Sequence, residues 1–199
     1  MRPLFILALL SGLLAGSSDR LDAADTKSNF RIGERLAQPE PAIAARTTYK
    51  ETSWEMLVPE DWNPMRAFKG LNLGQLKDSD PRAMEALDRM REFWNNAPVK
   101  ASLNGARIRI AGFVVPTERQ GDDVREFLLV PYFGACIHVP PPPANQIIYV
   151  IPSRPLTNVQ TMDAFWVSGT LELAHADSPP WGASGYRMKA DIVEPYTKH

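Results

Sequence analysis

The chain has 199 residues, and 22 basic against 23 acidic side chains leave a formal charge of −1. That balance excludes a protein that binds nucleic acid by neutralising phosphates, which needs a clustered basic surplus. A hydrophobic content of 44% with 23% charged residues excludes a disordered chain and is enough for a packed core.

Arg2 leads an apolar or small-residue run from Pro3 to Ala15. As a helix that run spans about 20 Å, short of the ~30 Å of a hydrocarbon core. With small residues at Ala15, Gly16 and Ser17, it reads as a signal peptide over 1–23, cut after Ser17 or near Ala23. The expected mature protein is periplasmic or otherwise exported, with no stable membrane span. Residues 24–49 show no sustained period and carry the punctuation Pro39-Glu40-Pro41, so they are expected to be a flexible leader outside the fold.

Residues 50–100 read as a helical extension. Trp54 to Pro59 is a brief apolar docking segment, and Glu60 to Pro64 ends it with turn chemistry. Asp80 followed by Pro81 is an N-cap with proline at the first helical position, and Pro98 stops the helix by excluding Ala97 from helical backbone. Leu87, Met90 and Trp94, extended by Ala83 and Met84, give the expected buried stripe, with Glu85 and Arg89 spaced for an ion pair on the other face.

After Asn104-Gly105 the pattern becomes alternation with a period of two. Ile108, Ile110, Gly112 and Val114 share one strand face, and Pro116 is expected to close the strand. Glu126–Val130 is a second strand after the polar turn at Gln120 to Asp123, and Gln146–Ile151 a third. Phe165 to Leu173 is a fourth, and the fifth places Tyr186, Met188, Ala190 and Ile192 inward. Glycines within the first and fourth strands suit the sharp bends of a closed sheet. The expected fold is mainly β: a small five-stranded barrel over 101–197, like the oligonucleotide/oligosaccharide-binding (OB) fold, with the helix over its open end.

The chemistry lies between the second and third strands. Cys136 and His138 are two apart and are followed by four prolines, Pro140 to Pro143. On extended backbone both side chains leave one face, and a polyproline rod holds them in a defined direction at low entropic cost. The lone cysteine excludes an internal disulfide, and an unpaired thiol in an oxidising compartment is buried, metal-bound or chemically used. Three uses are open. Thiolate with imidazole suits a transition metal such as zinc, the missing donors coming from His175, Asp177, Glu172 or Tyr132. Alternatively, Cys136 is a nucleophile activated by His138, or the pair is structural and the protein is an envelope adaptor docking through the proline rod and Trp181. The metal reading is adopted, with Cys136 and His138 as ligands and no catalytic residue assigned. His199, the last residue, is read as solvated.

The run Cys136-Ile137-His138-Val139 with its four prolines, Phe127-Leu128-Leu129-Val130-Pro131 before it and Asn145-Gln146 after it resembles the bacterial domain-of-unknown-function family 3299. The likeness extends from Trp54 to Tyr196 and takes in Gly112 to Pro116, Val167 to Leu171 and Gly185-Tyr186. What the resemblance implies is an exported protein with an OB-like barrel, no established activity, and in some bacteria a genomic setting beside zinc-supply transporters. Envelope transporter components are the partners this suggests.

Overall fold

The structure, a computed structural model, describes residues 30–37, 48–68, 81–135, 141–177 and 182–197. The expected signal peptide, much of the leader, Asp80, Cys136, His138, Trp181 and His199 lie outside them.

Six strands form one sheet: β1 (Lys50–Glu51), β2 (Arg107–Gln120), β3 (Asp123–Val130), β4 (Ile148–Pro152), β5 (Ala164–Asp177) and β6 (Ala183–Pro195). Bonding runs β2–β3–β4–β6–β5 and returns from β5 to β2, so five strands are linked in a ring, and β1 adds a parallel pair at the start of β2. The expected sheet of five strands is thus a sheet of six. The β4–β6 pair is parallel and the remaining ring pairs are antiparallel.

Alternation explains the interior. Ile108, Ile110, Val114, Phe127, Leu129, Val150, Val167, Leu171, Tyr186 and Met188 form one buried cluster. Trp54 and Leu57, from a single 3-10 turn (Trp54–Leu57), complete it. The Trp54 indole donates to Ala111 O at 2.7 Å, and the Tyr186 hydroxyl donates to Leu57 O at 2.6 Å while accepting from the Lys100 N–H at 2.7 Å. Each buried polar tip is thereby satisfied.

β2 is buried on both faces. Ala111, Phe113 and Val115 belong to a second cluster with Leu128, Val130, Ala135, Ile147, Met162 and Trp166. Part of its cover comes from residues expected to be leader: Phe30 packs edge-on against Phe113 at 5.1 Å, and Leu36 is buried in the same cluster. Residues 30–37 therefore belong to the fold, held by long-range apolar contacts that leave no local period.

Pro116 does not end β2. It pairs with Phe127, and the ladder is irregular from Pro116 to Arg119, which accommodates a residue without an N–H. Ile192 is not inward but 46% exposed. The register jumps from Ser168↔Ile192 to Gly169↔Ala190, and the extra β6 residue hands the inward position to Val193.

The helix α1 (Pro81–Asn95) ends before Pro98 as expected, and Glu85 pairs with Arg89 at 2.8 Å. Its buried stripe differs. Ala86 and Met90 are buried, whereas Met84 and Leu87 are 55% and 37% exposed. Its neighbours decide which side faces in: Phe93 stacks on Trp62 at 5.8 Å, and the Trp94 indole donates to Pro64 O at 3.4 Å. Among the described residues no helix is long and apolar enough to cross a membrane.

A Cβ built on Gly169 falls 2.2 Å from Lys189 O and 2.8 Å from Ala190 Cα, so this glycine permits the close β5–β6 approach at the bulge. Gly169→Ala is expected to lower Tm by roughly 5–10 °C, since main chain must move to admit the methyl. Thermal unfolding followed by circular dichroism checks this; an unchanged midpoint contradicts the close approach.

Candidate functional site

The Cys136 and His138 motif lies on the connection from the end of β3, at Val130, to the start of β4, at Ile148. The motif itself is outside the described residues, but both approaches to it are described. On the entry side, Phe133 accepts from the Gly33 N–H at 2.8 Å and donates its own N–H to Glu34 O at 2.9 Å. Arg35 and Tyr132 form an antiparallel bridge, with the Arg35 guanidinium 5.8 Å from the Tyr132 ring centre. The Phe133 ring meets Phe113 at 5.6 Å. Gly134, at φ 83°, makes a turn open to glycine, and its N–H points at Met162 Sδ 3.2 Å away. Ala135 is fully buried.

On the exit side, Pro143 has φ −58° and ψ 149°, close to polyproline II. A 3-10 turn (Ala144–Gln146) follows, its Gln146 N–H donating to Pro143 O at 2.7 Å. The Asn145 amide donates to Pro98 O at 3.0 Å. Pro141 lies against Gly182, where an added Cβ would fall 2.9 Å from Pro141 Cβ. The connection is therefore anchored at both ends, by the 30–37 segment at entry and by the start of β6 at exit.

Of the four expected accessory donors, His175 and Asp177 lie near the end of β5, at the same end of the ring as this connection. His175 Nε2 is 3.6 Å from Asp177 Oδ1, and both side chains are exposed. Glu172 is committed elsewhere: Lys189 Nζ is 2.9 Å and Arg187 2.7 Å from its carboxylate, and these two hydrogen bonds hold its pKa below the usual carboxylate range. Tyr132 is fixed by the bridge to Arg35. Among the described residues no group of three or more His, Cys, Asp or Glu side chains is placed to hold a metal ion.

Sequence reasoning missed a cleft at the opposite end of the ring. It encloses about 260 Å³ and is lined by Glu118, Arg125, Glu126, Ile151, Pro152 and Pro155. Glu118 and Glu126 stand directly opposite one another across β2 and β3, a like-charge pairing that sheets disfavour. The Tyr149 hydroxyl donates to the Glu126 carboxylate, and burial, reinforced by that bond, pushes the phenol above its ordinary value of 10. No local signal reveals this site, because the pairing depends on the irregular register around Glu118.

The family comparison agrees with the span of the fold. A model described as "Protein of unknown function (DUF3299)" matches residues 54–195, from the Trp54 turn to the end of β6. The chain belongs to the DUF3299 family. It is also similar to the crystal structure of a DUF3299 family protein from Pseudomonas aeruginosa, at 34% identity over 77% of this chain and 99% of that one, with a TM-score of 0.59. No curated protein matches it. The 30–37 segment lies outside the residues that the family model matches, so one side of the entry clamp, facing Tyr132 and Phe133 within the match, comes from residues the family model does not cover.

Tyr149 and Tyr186 both hold their protons above the ordinary tyrosine value, Tyr186 because it is desolvated inside the ring. The unfolded chain loses these protons near pH 10 while the folded protein keeps them, so the unfolded state binds fewer protons and stability falls as pH rises above about 10. Urea unfolding between pH 9 and 11 is expected to show that fall, and Tyr149→Phe to flatten it. An equal slope in the variant contradicts the raised phenol.

Proposed function

We propose that this DUF3299 member is an exported, periplasmic protein that binds a transition-metal ion, zinc by donor preference, through Cys136 and His138. It acts as an accessory to metal handling beside envelope transporter components. The observation that carries the reading is the anchoring of the β3–β4 connection at both ends, from Gly33 and Glu34 on Phe133 at entry to Pro141 on Gly182 at exit. A site with few local ligands needs its supports fixed before the ion arrives, because each ligand left to be ordered on binding subtracts from affinity.

The donor chemistry fits. Thiolate and neutral imidazole are the ligands zinc prefers, and His175 and Asp177, exposed at the same end of the ring, are the residues that would supply further donors. A bound ion also accounts for an unpaired thiol in an oxidising compartment. The scaffold is read as a small OB-like barrel, supported by a ring of five strands with one parallel pair and by the strand-bending glycines Gly112 and Gly169.

Elemental analysis of protein purified without chelator is expected to give close to one zinc per chain, falling at least tenfold in Cys136→Ser and in His138→Ala. Wild-type stoichiometry near zero after zinc loading and desalting, or equal retention by the variants, overturns the proposal.

A further inference from the structure

Among the described residues other than glycine, left-handed backbone occurs at Asn158, with φ 56°, and at Met162, with φ 72°. Asparagine tolerates that region because its short side chain can bond locally, whereas methionine adopts it against the repulsion of its own Cβ. The turn that imposes it is closed twice: the Asp163 N–H donates to Gln160 O at 3.2 Å, and the Gln160 N–H donates to Asp163 Oδ2 at 2.8 Å. Met162 is the third residue of this four-residue turn, where a positive φ ordinarily calls for glycine or asparagine. The turn is then pinned to β2, since the Met162 N–H donates to Val114 O at 2.7 Å and the Val114 N–H to Asp163 O at 2.9 Å.

What the strained position carries is a side chain. Met162 is buried in the cluster of Phe113, Leu128, Ala135 and Ile147, and its Sδ accepts from the Gly134 N–H at 3.2 Å. Gly134 is itself buried and left-handed, and the sulfur is the acceptor that its N–H meets among the described residues. A leucine would fill nearly the same volume but offer no acceptor, leaving that buried N–H unpaired. Gly134 directly follows Phe133, which the 30–37 segment holds, and stands two residues before Cys136.

Backbone strain at such a residue persists where the surroundings over-determine it, and it concentrates where the resulting geometry has a use. Here the strained turn delivers one sulfur atom to one amide at the entry to the motif. We infer that Met162 is a positioning residue for the Cys136 and His138 motif: its thioether, held on β2 by the strained turn, fixes the Gly134 amide and with it the direction in which the chain enters the motif. Two distant segments thus converge on consecutive residues, 30–37 on Phe133 and the 160–163 turn on Gly134. The effect on metal affinity rests on the zinc reading of the motif, and the effect on how Cys136 is presented does not.

The test compares the full chain with its Met162→Leu variant in four readouts: Tm, hydrogen exchange at the Gly134 amide, the alkylation rate of Cys136 by iodoacetamide, and zinc affinity by competition with a chromophoric chelator. Cys136 is the one cysteine of the chain, so the alkylation signal belongs to it alone. The variant is expected to exchange Gly134 faster, to alter the alkylation rate and to weaken zinc binding, each by roughly three- to tenfold, with a Tm change too small to account for them. A side chain that only fills the core lowers Tm and leaves the other three unchanged, and that result overturns the inference. Equal zinc affinity in variant and wild type overturns it while the zinc reading stands. If the wild type itself binds no zinc, the zinc reading fails, and the amide and alkylation rates decide the inference: altered rates uphold it and unaltered rates overturn it.

Discussion

Phe113 is the pivot of the molecule. Its backbone belongs to β2, where it pairs with Val130 on one side and Ala164 on the other. Its ring leaves the ring of strands and receives two others edge-on, Phe30 from the N-terminal segment and Phe133 from the entry to the β3–β4 connection. Edge-to-face contacts of this kind add to simple burial because the positive rim of one ring meets the negative face of the next. The same residue thus joins the sheet, the 30–37 strap packed on it and the loop that the strap holds.

From that arrangement the bracing of the β3–β4 connection follows. The sheet alone would let the connection leave β3 as a free loop. The strap gives the Phe133 N–H and carbonyl their partners, Met162 meets the Gly134 N–H, and Pro141 seats on Gly182. Ordering of the flanks is accomplished in the fold itself, so the ion proposed for Cys136 and His138 would have less entropy to overcome. At the other end of the ring, the opposed Glu118 and Glu126 are a local conflict that the Tyr149 hydrogen bond eases on one side only.

The parts legible in the sequence are those where one local rule acts alone. Ile108, Ile110 and Val114, and likewise Tyr186, Met188 and Ala190, alternate because a strand has two faces, and all are buried in one cluster. Ile192 breaks the pattern because a bulge is a property of two strands and not of one. The helical period points to Met84 and Leu87 for the buried side of the helix, where the fold buries Ala86 instead, because the position of Trp62 and the Pro64 carbonyl sets which side faces in. The strap has no period at all, since Phe30 and Leu36 act through partners some eighty residues or more away. The Cys-x-His motif stands out by composition, whereas the clamp that braces its flanks depends on the tertiary structure.

The central claim is that the entry to the motif is locked to the strap. Native-state hydrogen exchange at the amides of Gly33 and Phe133 tests it most directly, because each donates across the strap–loop contact. The account predicts slow exchange at both, by roughly a thousandfold or more relative to an unfolded chain, and a joint loss of that protection in Phe30→Ala while the amides of β3 stay protected. Exchange at unfolded-chain rates in the wild-type protein would contradict it.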